Sequence, residues 1–364
     1  MDLLEELDNH KKHNINKKQI FLGYPLNLSF DYSEIHALFD TSLNLLGSPF
    51  DEGSRYKYER NIIKYFGDLY KFPNKKVWGY VTSGGSEANM YGLYLARERL
   101  KNPFLLFSQE THYSIEKAAK MLKIPFETIK TQSSGEIDYL LLEKAVKRCK
   151  NRDLIININI GSTMRGAIDD LDAVQRIFQA NKIKDYHIHV DAALFGGYLP
   201  FLDKKLTKEI GSVADSITIS GHKFFGTPFP CGIFLTKKNY LLADNFEEYT
   251  KSHDVTLLGS RNGHSAVLLW YLINKKGAVS LEKEAKSCIN NAKYLEAKLK
   301  MVNYPVWRNK LSNIVYFDKP PQGILNKWIL AVDKDIAHVV TMQHVTKQML
   351  DEFIKDIYAI MYSI

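Results

Sequence analysis

From Trp78 to Ser220 the chain alternates short β-rich runs with stretches of helical period, and few folds can accommodate that alternation. The runs are WGYVT, FLLFS, IPFETIK, LIININI, YHIHVD and SITIS, all rich in β-branched and aromatic residues. Among them lie SEANMYGLYLARERL, SIEKAAKML, IDYLLLEKAVKRC and DDLDAVQRIFQANK, which carry apolar residues at helical spacing. The pattern predicts an α/β fold, a mainly parallel sheet covered by helices. In the helix opening near Ser86, the residues Ala88, Tyr91, Gly92, Leu95 and Ala96 form one face for that sheet.

The pattern changes after GSRNGHSA. AVLLWYLINKKGAVSLEKEAKSCINNAKYLEAKL reads as a long helix, followed by short strands in PVWRN, NIVYFD, WILAV and AHVVTM and a last helix through KQMLDEFIKDIYAIM. This is the pattern of a second, smaller α+β domain with DKPPQG as one of its turns. At 364 residues the chain is long enough for two domains and a large core.

With 45% hydrophobic and 25% charged residues, disordered and fibrous classes are excluded. The net charge of +8 is scattered through pieces such as HKKHNINKK and KLTKE, with no aromatic-interleaved basic stripe. It reads as a solvated surface that favours anionic ligands, not as a nucleic-acid interface. Cys149, Cys231 and Cys288 are odd in number and form no C-x-x-C pair, so neither a disulfide framework nor a cysteine zinc site is expected. The start, MDLLEELDNHKKHNINKK, lacks the pattern of a signal peptide, and no apolar run reaches the length of a membrane span. A soluble protein of a reducing cytoplasm, with no membrane partner, is the expectation.

In open α/β sheets ligands bind outside the carboxyl ends of the strands. There the sequence places Ser83-Gly84-Gly85-Ser86, Thr111-His112, Gly161-Ser162-Thr163, Asp191-Ala192-Ala193 and Gly221-His222-Lys223. TSGGSEAN is neither a dinucleotide fingerprint nor a P-loop. Two glycines and a serine opening a helix still offer free N–H groups to a phosphate, although an ordinary N-cap turn reads the same way. Asp191 ends an apolar strand, where a carboxylate needs a cation or a donor nearby. His187, His189 and Asp191 share one strand face and are a candidate metal set. Histidines in a strand are more often hydrogen-bonded core residues, and no metal is expected.

Lys223 follows Ile-Thr-Ile-Ser-Gly-His and precedes two phenylalanines, an apolar setting for a lysine. A phosphate cradle, a buried carboxylate, a flat ring, a hydroxyl and a lysine on one rim suit one cofactor, pyridoxal 5'-phosphate. Its aldehyde needs a lysine amine, its pyridine nitrogen a carboxylate and its phosphate a helix start.

At these residues the sequence resembles the group II pyridoxal-phosphate-dependent amino acid decarboxylases, in the branch of bacterial histidine decarboxylases and plant serine decarboxylases. The resemblance rests on TSGGSEANMYGLYLARE, THYSIEKAAKML, GSTMRGAIDDL, HVDAALFGGYLPF, SGHKFFGTPFPCGIFLTKK and GSRNGHSAVLLWY. FLGYPLNLSFDYSEI and AHVVTMQHVT extend it almost end to end. It implies a fold type I dimer, with residues 1–55 as an N-terminal segment, 56–260 as the large cofactor-binding domain and 261–364 as the small domain. It implies that Lys223 forms the Schiff base, that His112 stacks on the ring and faces the substrate, that Asp191 pairs with the pyridinium and that Ala193 packs beneath the ring. Gly85, Ser86, Ser220 and His222 would hold the phosphate, and Thr163 would lie near the ring oxygen or the carboxylate pair. Tyr24 would wall the substrate pocket, and GSRNG around Arg261 would approach the neighbouring subunit's phosphate. The family's animal members carry a long mobile loop with a catalytic tyrosine; here NFEEYTKSHDVTLLGSRNG is short, and Tyr249 takes no assigned role.

The implied reaction is decarboxylation of an L-amino acid, with histidine placed first and serine second. Another fold type I lyase or a transaminase is the rival among enzymes. A transaminase needs an arginine clamp in the small domain, where only Arg308 lies in the strand-rich part. A basic nucleic-acid-binding protein on a retired scaffold is the rival outside enzymes.

Overall fold

A computed structural model of the chain describes residues 20–25, 27, 44–50, 56–72, 77–242, 246–248 and 251–362. Tyr249 and most of the N-terminal segment lie outside the described residues. The described residues form two compact units. The larger takes those from Asp31–Thr163 and Ala167–Glu282; the smaller takes those from Met1–Phe30, Met164–Gly166 and Lys283–Ile364. These units interleave along the chain, whereas the segments expected from the sequence were consecutive.

The larger unit is built on a seven-stranded sheet. Its strands are β1 (Val77–Thr82), β2 (Pro103–Ser108), β3 (Phe126–Ile129), β4 (Asp153–Asn159), β5 (Tyr186–Asp191), β6 (Ser216–Ser220) and β7 (Gly232–Lys237), in the spatial order β1-β7-β6-β5-β4-β2-β3. All six runs expected from the sequence are strands. β7 is the addition: it runs antiparallel to both neighbours, pairing Gly232 with Thr82 on one side and with Ser220 on the other. The remaining pairings, β3 with β2, β2 with β4, β4 with β5 and β5 with β6, are parallel. Because β7 opposes both β1 and β6, those two are parallel to each other, and all six share one carboxyl edge.

The helices of this unit are α1 (Lys57–Leu69), α2 (Gly85–Arg99), α3 (Tyr113–Met121), α4 (Tyr139–Arg148), α5 (Leu171–Ala180), α6 (Phe195–Leu202) and α7 (Lys204–Val213). Asp138, Asp170 and Asp203 cap α4, α5 and α7, each side chain accepting an N–H of the first turn. α2 starts differently, because its N-cap is Gly84 and no side chain satisfies its first turn. Leu93, Ala96, Leu105, Phe107, Ile115 and Ile155 close one core between α2, α3 and the sheet.

The long helix α8 (Gly263–Met301) bends at Gly277, which sits at φ 66°. In the smaller unit, β8 (Val306–Trp307), β9 (Ile314–Asp318), β10 (Ala331–Asp333) and β11 (Ile336–Val340) form an antiparallel sheet in the order β8-β9-β11-β10. α9 (Gln322–Trp328) and α10 (Lys347–Tyr362) complete it. WILAV, expected as one strand, divides: Trp328 ends α9, Ile329 takes a left-handed turn at φ 49°, and only Ala331 and Val332 enter β10. The apolar faces of β9, β11 and α10 meet in a core of Val315, Phe317, Val339, Leu350, Phe353 and Ile357.

Candidate active site

The carboxyl edge of the larger sheet gathers the polar residues singled out in the sequence. At the end of β1, Thr82 Oγ1 donates to Gly84 O at 2.9 Å, and Ser83 N donates to Glu87 Oε2 at 2.7 Å, which ties the turn Ser83–Gly84 to the start of α2. Gly85 then passes so close to the end of β6 that an added Cβ would lie 2.9 Å from Ser220 Oγ and 4.0 Å from Ala193 Cβ. Gly85, Ala193 and Ser220 therefore surround one small space. Ser220 N donates to Ala193 O at 2.9 Å, which fixes two of the three to each other.

Asp191, at the end of β5, is 7% exposed. Its Oδ1 accepts from Ala193 N at 3.1 Å and its Oδ2 from Asn89 Nδ2 at 2.8 Å. His112 caps α3, with Nδ1 2.8 Å from Ser114 Oγ. Burial draws the His112 imidazole below its ordinary range, with the charge of Asp191 opposing and those of Lys223 and Lys117 adding to the effect. Burial also holds the Lys223 amine below the ordinary lysine range, against the charge of Asp191. His112 and Lys223 thus both feel the charge of Asp191.

His222 is partly buried, and its Nδ1 lies 3.0 Å from Cys231 O at the start of β7. Ser86 is exposed in the first turn of α2, and Thr163 is exposed in the turn after β4. No hydrogen bond links Thr163 to Asp191 among the described residues. Tyr24 belongs to the smaller unit, 44% exposed, with its ring 5.5 Å from that of Phe21.

Two arginines named from the sequence are engaged within the chain. The Arg261 guanidinium is buried, ion-paired with Glu59 and donating to Gly47 O at 2.9 Å and Val81 O at 3.3 Å. In the same segment Gly259, Ser260 and Asn262 are exposed. Arg308 is no free carboxylate clamp, since its Nε donates to Glu296 at 2.7 Å and its Nη1 to two backbone carbonyls.

His187 and His189 are fully buried, and both bond Ser216 Oγ, at 2.8 and 2.7 Å. Among the described residues no three His, Cys, Asp or Glu side chains cluster as a metal set. Asn89 was missed by sequence reasoning, although it falls within the arc of Ala88 and Gly92, where a polar residue signals a buried task.

These residues fit pyridoxal phosphate. A side chain at Gly85 would crowd Ser220 Oγ, no side chain caps the first turn of α2, and the Lys223 amine, its basicity lowered by burial, feels the charge of Asp191.

Comparison with known proteins agrees. The model of the pyridoxal-dependent decarboxylase conserved domain matches residues 55–304. The chain is 41% identical to the histidine decarboxylase of Vibrio campbellii over 352 residues, 94% of this chain and 91% of that one. It is 37% identical to serine decarboxylase 1 of Oryza sativa subsp. japonica over 357 residues, 96% of this chain and 74% of that one. The crystal structure of L-methionine decarboxylase from Streptomyces sp. superposes with a TM-score of 0.88, at 24% identity, covering 98% of this chain and 95% of that one. The chain belongs to the pyridoxal-dependent decarboxylase family and is a pyridoxal-phosphate-dependent amino acid decarboxylase.

Proposed function

We propose that this enzyme converts L-histidine to histamine and CO₂. The observation that supports this substrate is the 41% identity to the Vibrio campbellii histidine decarboxylase across 94% of the chain. Serine to ethanolamine is the second reading, supported by the 37% identity to the rice enzyme.

The bound cofactor supplies an electron sink for the pair released when the Cα–carboxylate bond breaks. Lys223 is the residue that would attach it, because burial lowers the basicity of its amine and so favours the nucleophilic form. The N–H groups of Gly85 and Ser86, with Ser220 and His222, would hold its phosphate. Asp191, itself held by Ala193 N and Asn89, would keep the pyridine nitrogen protonated. His112 would cover the ring and contact the substrate, Ala193 would support the ring from below, Thr163 would lie near its oxygen or the carboxylate pair, and Tyr24 would wall the pocket. The protein's main contribution is orientation, since only the bond aligned with the π system is labilised.

The enzyme works as a homodimer in a reducing cytoplasm in this reading. Free, buried Cys149, Cys231 and Cys288 accord with that compartment. Among the described residues no helix is long and apolar enough to cross a membrane.

The test is a panel of L-amino acids incubated with protein and cofactor, with the amine and CO₂ measured by mass. Histamine as the preferred product supports the proposal. Ethanolamine in its place supports the second reading, and a keto acid without CO₂ overturns both.

A further inference from the structure

Asn89 projects from α2 into the space between α2, α3 and the sheet, and is 2% exposed. Its amide nitrogen has two hydrogens and two acceptors. One is Asp191 Oδ2 at 2.8 Å; the other is Ser114 Oγ at 2.9 Å, which in turn lies 2.8 Å from His112 Nδ1. A single side-chain amide therefore spans the carboxylate at the end of β5 and the imidazole at the start of α3.

The direction of the amide is also fixed. An ionised carboxylate only accepts, so Asn89 must present its NH₂ to Asp191 and its Oδ1 away from it. That Oδ1 lies 3.1 Å from His189 Nε2, which must then carry the ring proton. His189 Nδ1 is left to accept from Ser216 Oγ at 2.7 Å. Ser216 Oγ accepts from His187 Nε2 at 2.8 Å, and His187 Nδ1 from Arg99 Nη2 at 3.2 Å. Arg99 cannot act as an acceptor, so every hydrogen bond in the chain runs from Arg99 toward Asp191. Burial keeps both histidines neutral by drawing each to about 3, so neither reverses the order near neutral pH. Gly92 makes the arrangement possible: a Cβ there would lie 2.4 Å from His189 Nδ1.

We infer that Asn89 is the positioning residue that holds Asp191 and His112 in register with each other, its orientation set by the one-way chain Arg99–His187–Ser216–His189. The inference deepens the proposed function and rests on the reading that Asp191 faces the cofactor nitrogen. A turned amide would put oxygen against the Asp191 carboxylate and leave the Ser114 hydroxyl without its donor. The chain's task is to exclude that state.

The test is the titration of the Asp191 carboxyl carbon by ¹³C NMR in the cofactor-free protein. Asn89→Leu keeps the branched outline of the side chain, at a larger volume, and changes no charge, while His112, His189 and Lys223, the titratable groups facing Asp191, stay in place. Loss of a donor to the ionised form should raise the Asp191 midpoint by about one pH unit. In the loaded enzyme kcat should fall about tenfold or more, with KM changed less. Asn89→Ser, whose hydroxyl is too short to reach Asp191, carries the same expectation should Asn89→Leu not fold. A merely structural role would lower the melting temperature and leave the Asp191 midpoint where it was, and that result overturns the inference. A raised midpoint with undiminished turnover would uphold the positioning of Asp191 and refute its assignment to the cofactor nitrogen, so the two failures are separable.

Discussion

Gly92→Ala sets two effects of opposite sign against each other. In the interior of a helix the exchange ordinarily stabilises by about 1 kcal/mol, because glycine is the more costly residue to order. Here the added methyl would lie 2.4 Å from His189 Nδ1, 2.5 Å from its Cε1 and 3.2 Å from Ser216 Oγ. The ring cannot swing aside, since it is fully buried and bonded at both nitrogens, to Ser216 and to Asn89. Helix α2 or strand β5 must shift, which in a packed interior costs about 1–3 kcal/mol. Disturbing the bond from Ser216 to His189 adds about 1 kcal/mol. The sum predicts net destabilisation of about 1–3 kcal/mol, read as a lower melting temperature of the cofactor-free protein. It also predicts weaker retention of the cofactor, because Asn89 and Asp191 lie along the same chain of bonds. A variant that melts at or above the wild-type temperature would refute the close approach of α2 to His189.

Arg261→Ala should destabilise by about 3–5 kcal/mol, because it leaves the carboxylate of Glu59 buried without its cation. Urea titration should show most of that loss recovered in the double exchange Arg261→Met with Glu59→Leu; equal loss in both variants would contradict the electrostatic origin. Acid should destabilise the fold from about pH 6.5 downward. His187 and His189 titrate at about 3 when folded and near 6.5 when unfolded, so between about pH 4 and 6 the unfolded chain holds two protons that the folded one lacks. Burial raises Asp169 to about 7, which gives the folded state one extra proton in the same window. These three groups net one proton, a fall in stability of at least about 1.4 kcal/mol per pH unit on acidification, and the lowered His112, His222 and His338 act in the same direction. Stability that rises as pH drops from 6 to 4 would contradict the neutral buried histidines.

The strand and helix pattern was legible because burial imposes it on each segment separately: an apolar run such as LIININI has few alternatives in a sheet of this kind. β7 was harder to read, since GIFLTK follows a Gly/Pro-rich turn and its direction depends on the partners that flank it, β1 and β6. Helices α6 and α7 were also missed. FGGYLPFL, which forms α6, contains two glycines and a proline and is held helical by its surroundings. Of the candidate site, Lys223, Asp191 and the Gly85 turn stand out in the sequence because each is chemically out of place in its local setting. Asn89 was not, because its significance depends on partners 102 and 25 residues away, Asp191 and Ser114. The intrachain ion pair of Arg261 was not legible for the same reason, as its partner Glu59 lies 202 residues earlier.

The proposed chemistry depends on Lys223 being the point of covalent attachment. Borohydride reduction of the loaded protein, followed by digestion and peptide mass mapping, addresses that attachment directly. A pyridoxyl group on the peptide carrying Lys223, absent from Lys223→Ala, is the predicted result. An unmodified Lys223 peptide, or the same adduct on another lysine, would contradict the account.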